Sequence, residues 1–271
     1  MQGPQSCNAL TIDVEEWYQT VYFNKSGYDR KTATDLPQNV QEILWLLREK
    51  NLKATFFIVG LVAEKYPWLV KEIHQQGHEI GSHGYSHRLV FDLGPALFEQ
   101  ETRKSKDILE GIIQDKVIGY RASTWSITRR MPWAIDVLGS LGFKYDSSMY
   151  PAFVDGGHGQ GRFPFEIRKA FVEFPPSTWR VGVLNVPFCG GLFMRFFPEG
   201  WLDRGISGIN EMGFPALVYF HSWEFSDGSL LSGIPLWKRV AQYENVASMK
   251  RKLGVLFKGH EFCSIKTLLG L

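Results

Sequence analysis

In the stretch GHEIGSHGYSH, Gly77 to His87, two histidines, His83 and His87, stand four residues apart with Gly84, Tyr85 and Ser86 between them. That spacing permits a single helical turn or a tight loop with both rings on one side. Neutral imidazole is a common zinc ligand, and two imidazoles plus one carboxylate leave a position open for water, as catalytic zinc sites do. Spacing alone does not distinguish such a site from a pair of surface histidines, so the acids decide. TIDVEEW supplies them: Asp13 and Glu15 flank Val14, and on an ideal strand both point to one face with Glu16 opposite. Two carboxylates on one face repel unless a cation or a proton intervenes. One can bind metal while the other acts as a base.

Arg121 in GYRAST and His221 in LVYFHSWE complete the set. Asp13, His83, Arg121 and His221 each stand at or just past the end of a predicted strand, and in a parallel barrel such ends share one face. Arg121 by itself reads equally well as a surface charge. His221 closes a very apolar strand, so its ring is half buried and its pKa is sensitive to a neighbouring acid. His78 starts a strand and faces away from the cluster, and His74 lies solvated on a helix.

The elements that must carry these groups follow from periodicity. ALTID, Ala9 to Asp13, is a short apolar run ending in a carboxylate. Asp35 caps a helix in which Val40, Ile43, Leu44 and Leu47 recur at helical spacing. KATFFIVG is a strand buried on both faces, and a helix from about Tyr66 to Gln76 stops at Gly77. HEIGS and KVIGYR are strands around a helix from Pro95 to about Glu110. A helix from Trp133 to Leu141 precedes the extended FKYDSS. This alternation predicts an α/β fold of βαβ units around a parallel sheet or barrel. From Pro151 to Gly200, Gly, Pro and aromatics predict long loops and short strands over the barrel mouth. The strand Ala216 to Phe220 follows, and one or two amphipathic helices from about 235 to 271 pack outside.

Composition sets the limits. With 271 residues, 44% apolar and 21% charged, one soluble domain is expected, its core at about 9–225. A net charge of +2 gives no nucleic-acid footprint or polybasic anchor. No run approaches the ~20 apolar residues of a membrane span, and the start lacks the features of a signal peptide, so the chain reads as cytoplasmic. Cys7, Cys189 and Cys263 form no CxxC pair and are expected to be free thiols, Cys189 as a buried small hydrophobe.

Taken in order and spacing, TIDVEEW, HEIGSHGYSH, GYRAST, YDSS and LVYFHSWE resemble the polysaccharide deacetylases, the NodB-homology or carbohydrate esterase family 4 group. The branch opening DVE(E/D)W, found with bacterial exopolysaccharide and exosortase loci, is the most similar. The resemblance covers about Leu10 to Phe225 and implies an irregular (β/α) barrel. It also implies one divalent metal, usually zinc with cobalt, nickel or manganese as alternatives, and removal of N-acetyl or O-acetyl groups from sugars. Carried over residue by residue, it implies Asp13 as catalytic base, His83 and His87 as metal ligands, Arg121 positioning the base, and His221 as general acid. Asp146 is placed, loosely, as the acid that tunes His221. Many members carry a second Asp where this chain has Val14, which leaves Glu15 as the substitute ligand. Ser123 stands where proline is usual.

In the mechanism so implied, a backbone N–H near Thr124 contributes to the oxyanion site, and Trp125, Trp179 and Trp223, with Trp17 and Tyr18, offer faces for an acetylated saccharide. His158 is a further candidate for substrate contact. Two rival readings are a metal-dependent amidohydrolase acting on a small cyclic amide or ureide, and a non-catalytic saccharide-binding relative. The polysaccharide, the native metal and the oligomeric state are not specified by the sequence.

Overall fold

The computed structural model describes residues 7–20, 23, 32, 34–151, 161–226 and 235–271. Strand β1 (Cys7–Val14) is buried at every position after Cys7, as a strand covered on both faces must be. Its alternate side chains serve two cores. Leu10, Ile12 and Val14 join the large core beneath the helices, while Ala9 packs with Phe57, Tyr145 and Tyr219 in a smaller one. By the two-residue period, Thr11 and Asp13 share the Ala9 face.

Strand β2 (Thr55–Ile58) pairs with β1 in parallel, and β3 (Glu79–Ser82), β4 (Gly119–Tyr120) and β5 (Tyr145–Asp146) continue that order. Beyond them, β6 (Phe165–Arg168) lies antiparallel on β7 (Phe171–Glu173). On the other flank β10 (Leu217–His221) pairs with β1 from Ala9↔Leu217 to Asp13↔His221. The nine-stranded sheet curls into a half-barrel, and among the described residues no pairing joins β6 to β10. Among the described residues the irregular barrel is therefore open. Inside the curl space is tight: a Cβ on Gly81 would stand 2.6 Å from the Phe57 ring.

Helices α1 (Leu36–Glu49), α2 (Gly60–Lys65), α3 (Pro67–Gln75), α4 (Val90–Ile113) and α5 (Pro132–Ser140) alternate with these strands. The stripe Val40, Ile43, Leu44 and Leu47 on α1 is at most 1% exposed. In α4 the chain breaks at Gly94, φ 68°, so regular turns begin at Pro95, where the missing N–H costs nothing.

The region 151–200 departs from expectation. After the hairpin β8 (Thr178–Val181) and β9 (Leu184–Pro187) it holds α6 (Gly191–Phe196) and the start of α7 (Glu199–Glu211) rather than loops and strands alone. The two glycines and the run of aromatics conceal a short helix whose inward face is Met194 and Arg195. The C-terminal region is also more than external helices. Between α9 (Ser248–Gly259), which follows α8 (Leu236–Tyr243), and α10 (Ile265–Leu269), strand β11 (Glu261–Cys263) pairs with the first residues of β1. Ile265 N–H then donates to Thr55 Oγ1 and Lys266 N–H to Glu79 Oε2, both at 2.9 Å, closing the floor of the curl. Both halves of the chain thus share one sheet.

That pairing corrects the reading of the cysteines. Cys7 and Cys263, 256 residues apart, have Cα atoms 6.1 Å apart and form a disulfide; Cys189 is free and buried. Nothing in their local sequence links positions joined only by the β1–β11 register. Among the described residues no helix is long and apolar enough to cross a membrane. Replacing Cys7 and Cys263 by serine is expected to lower unfolding free energy by about 2–4 kcal/mol in urea titrations. Denatured, unreduced protein should titrate one thiol; three would contradict the pairing.

Candidate active site

The parallel register aligns the functional groups. Asp13 pairs with His221, Ile58 with Ser82, and Ser82 with Tyr120, so His83 and Arg121 follow directly on paired strand ends. Asp13, Glu15, His83, His87 and His221 line one cavity with Thr124, Trp125 and Trp223.

Glu15 lies just past β1 and is held by the second half of the chain. Trp223 Nε1 donates to Glu15 Oε1 at 2.9 Å, and Ser222 Oγ donates to the Glu15 carbonyl, also at 2.9 Å. This leaves Oε2 for the histidines: it is 3.7 Å from His83 Nε2 and in ion-pair contact with His87 Nε2. His83 Nδ1 bonds the Arg121 carbonyl at 2.8 Å. That contact fixes its ring with Nε2 toward the cluster. The connection from His83 to His87 is a tight loop. Gly60 N–H donates to the Gly84 carbonyl and Leu61 N–H to the Tyr85 carbonyl, and His87 sits at φ 58°.

The ligating atoms of Glu15, His83 and His87 all lie within 4.8 Å of one another, and all three residues are buried. Burial would raise the Glu15 carboxyl, but the charge of His87 and hydrogen bonds from both histidines hold it well below the usual carboxylate range. Burial would lower His87, and Glu15 reverses this and raises it. Two imidazoles with one oriented carboxylate match the donor set of an open divalent-metal site, so the residues fit the ion that the sequence implies.

Asp13 faces this cluster from a different partner. Arg121 Nη1 donates to Asp13 Oδ1 at 2.7 Å and to Thr11 Oγ1 at 2.9 Å, while Nη2 donates to Ser147 Oγ and Nε to the Ser147 carbonyl. Its guanidinium lies 4.2 Å from the centre of the Phe57 ring and 4.5 Å from that of Trp125. Arg121 is 0% exposed and is no surface charge.

His221 is carried to the cavity by β10 and stacked on Trp223, ring centres 4.9 Å apart. Its carboxylate partner is Glu224, whose Oε2 is 3.0 Å from both Nδ1 and the backbone N of His221. Burial would lower His221, but Glu224, reinforced by Glu15 and Asp13, lifts it to about 9. Asp146 lies elsewhere. Its carboxyl accepts a hydrogen bond from Ser148 Oγ and is opposite Glu173 across the β5–β7 register, and burial raises it to about 7. The carboxyl in contact with the His221 ring is therefore Glu224 and not the expected Asp146. The available signal was an acid three residues after a histidine at a strand end.

Thr124 and Trp125 line the cavity with left-handed φ values of 53° and 55°. Trp179 does not line it; it packs on Phe188 and Trp201 from β8. Its place is taken by Leu192, Phe193 and Arg195 on α6, residues in the segment the sequence presented as loop, with Tyr219 from β10. Trp17 and Tyr18 are packing residues beside Phe23. His78 is a satisfied core histidine: its Nδ1 accepts the Ala54 N–H, and burial lowers it to about 4. His158 lies outside the described residues.

Residues 18–145 match the family described as polysaccharide deacetylase, and residues 147–270 match a domain of unknown function (DUF3473). The polysaccharide deacetylase match takes in a little under half of the chain and includes His83, His87 and Arg121. A peptidoglycan-N-acetylglucosamine deacetylase from Bacillus cereus is 41% identical over 68 residues, 25% of this chain and 25% of its own length. A peptidoglycan deacetylase from Helicobacter pylori is 30% identical over 110 residues, 41% of this chain and 36% of its own. The chain thus spans well under half the length of these curated relatives. In fold it is similar to a Mycobacterium smegmatis protein described as a polysaccharide deacetylase, with TM-score 0.68 at 19% identity over 100% of this chain and 92% of that one. A family 4 carbohydrate esterase from Streptomyces lividans aligns with TM-score 0.52 at 16% identity over 96% of this chain and 91% of that one.

Because Asp13 and Arg121 are fully desolvated together, Arg121→Met should destabilise the fold by about 3–5 kcal/mol, read by urea titration. Arg121→Lys should recover only part of this, since an ammonium cannot reproduce the fork. A loss below 1 kcal/mol would contradict the pairing, being the range of exposed ion pairs.

Proposed function

We propose that the protein is a metal-dependent hydrolase that removes acetyl groups, foremost N-acetyl, from a bacterial polysaccharide or oligosaccharide. The observation that carries this reading is one cavity in which a Glu15–His83–His87 cluster faces the Asp13–Arg121 pair and the His221–Glu224 pair. A structural metal site would need neither a second, separately oriented carboxylate nor a third imidazole.

The reading assigns roles to these groups. Glu15, His83 and His87 hold a divalent ion, zinc by preference for this donor set. When bound, the ion supplies Lewis-acid polarisation of the acetyl carbonyl and makes water acidic near neutral pH. Asp13, aimed by Arg121, accepts the proton of the attacking water. The Thr124 N–H is a candidate donor to the developing oxyanion. As the C–N bond breaks, His221 delivers the proton from Nε2 to the departing sugar amine, and acetate is the second product. Trp125, Trp223, Leu192 and Phe193 offer apolar surface to sugar C–H faces. The Cys7–Cys263 disulfide supports an oxidising working compartment in place of the cytoplasm expected from the sequence.

Acetate release from N-acetylglucosamine oligomers should be lost with EDTA and restored by zinc or cobalt. Asp13→Asn should lower kcat by ~10²–10⁴-fold and leave metal content unchanged, whereas Glu15→Ala should lose the metal. Metal affinity should fall as pH drops, because protons compete for the two imidazoles. Unchanged turnover in Asp13→Asn, or unchanged metal content in Glu15→Ala, would overturn the assignment.

A further inference from the structure

A buried chain of polar contacts reaches His221 from the C-terminal region. Lys252 on α9, 4% exposed, donates its Nζ to the carbonyls of Met194, Arg195 and Phe197 at 2.9, 2.6 and 2.8 Å. These are acceptors that the end of α6 leaves without helical partners, and a cation there also meets the negative end of the helix. Arg195, 2% exposed, is held at Nη1 by the carbonyls of Gln242 (2.5 Å) and Glu244 (2.8 Å). Its Nε lies 3.1 Å from Glu224 Oε1. Glu224 is 0% exposed and commits its other oxygen to the backbone and ring of His221. One oxygen is thus hydrogen-bonded to His221 and the other is in ion-pair contact with Arg195 without hydrogen-bond alignment, so the carboxylate is held from both sides. It holds a proton on Nδ1 and leaves Nε2 as the nitrogen offered to the cavity.

We infer that the half of the chain matching a domain of unknown function is the positioning unit for His221: Arg195, seated on α6 by Lys252, locks Glu224, and Glu224 sets the tautomer and direction of the imidazole. The kinetic part of this inference rests on the deacetylase reading; the state of the imidazole does not. The charged and titratable groups facing His221 among the described residues are Asp13 from β1, Glu15 just past it, Tyr219 from β10, Glu224 and, behind it, Arg195. Among the described residues only Glu224 bonds the ring, which makes it the group whose loss should be felt first.

The test compares Glu224→Gln, Arg195→Met and Arg195→Lys in the full chain. Kinetics on N-acetylglucosamine oligomers are read alongside nitrogen-15 NMR of the His221 ring, assigned against His221→Ala. Glu224→Gln should lower kcat by at least ~10²-fold, the scale of general acid catalysis, with little change in KM, and should move the alkaline limb of the kcat profile to lower pH. Arg195→Met should lower kcat in the same sense, with Arg195→Lys recovering little of it. Both Glu224→Gln and Arg195→Met should lose the ordered Nδ1–H signal of the wild type. Lys252→Met should follow Arg195→Met; if it does not fold, the Arg195 variants carry the test. Folded Glu224→Gln and Arg195→Met proteins that keep the wild-type kcat and Nδ1–H signal would overturn the inference and leave a purely structural ion pair. If the wild type releases no acetate from any glycan, the deacetylase reading fails, and the NMR comparison alone decides this one.

Discussion

The parallel pairing of β1 with β10 is the constraint on which the site depends. It places Asp13 opposite His221 and carries Ser222 and Trp223 against Glu15. The first half of the chain owns the histidine loop and Arg121, and the second half owns His221 and Glu224. Only this register brings the two sets to one cavity. A slip of one residue would turn Asp13 from the curl toward the helices and put Ile12 or Val14 in its place, so the apolar alternation of Leu10, Ile12 and Val14 also secures the chemistry.

The cavity wall is built from charges that are costly to bury and are therefore paired. Asp13 has Arg121, Glu15 has His87, and Glu224 has Arg195 and His221. Such pairs add little net stability compared with apolar packing, but breaking one is expensive. Their effect here is geometric. Two acids a residue apart in the sequence end on different partners: the guanidinium of Arg121 holds Asp13, while the indole of Trp223 turns Glu15 toward the histidines. The proposed division between ligand and base rests on what each carboxylate touches.

Much of this was legible in the sequence because it is local. The strand ends, the HxxxH spacing, the helical stripe of α1 and the carboxylates around Val14 are all set by short-range periodicity. What was not legible depends on long-range register. The Cys7–Cys263 bond and the floor made by Ile265 and Lys266 require β11 to return to β1, which nothing in FKGHEFC announces. Helix α6 was hidden by glycines and aromatics, and with it Arg195, Leu192 and Phe193. Trp179 was a reasonable aromatic candidate by composition, yet its strand directs it to Trp201. Asp146 was placed beside His221 by motif order, whereas the sheet carries it to Glu173 and leaves the position to Glu224.

The central claim is that Glu15, not Asp13, completes a metal shell with His83 and His87 while Asp13 stands beside it as a base. Anomalous diffraction from crystals grown with zinc addresses this in one measurement. The account predicts a single peak about 2.0–2.2 Å from Glu15 Oε2, His83 Nε2 and His87 Nε2, with Asp13 outside that shell and still bound to Arg121. A peak ligated by Asp13 with Glu15 turned away, or no peak among these three residues, would contradict it.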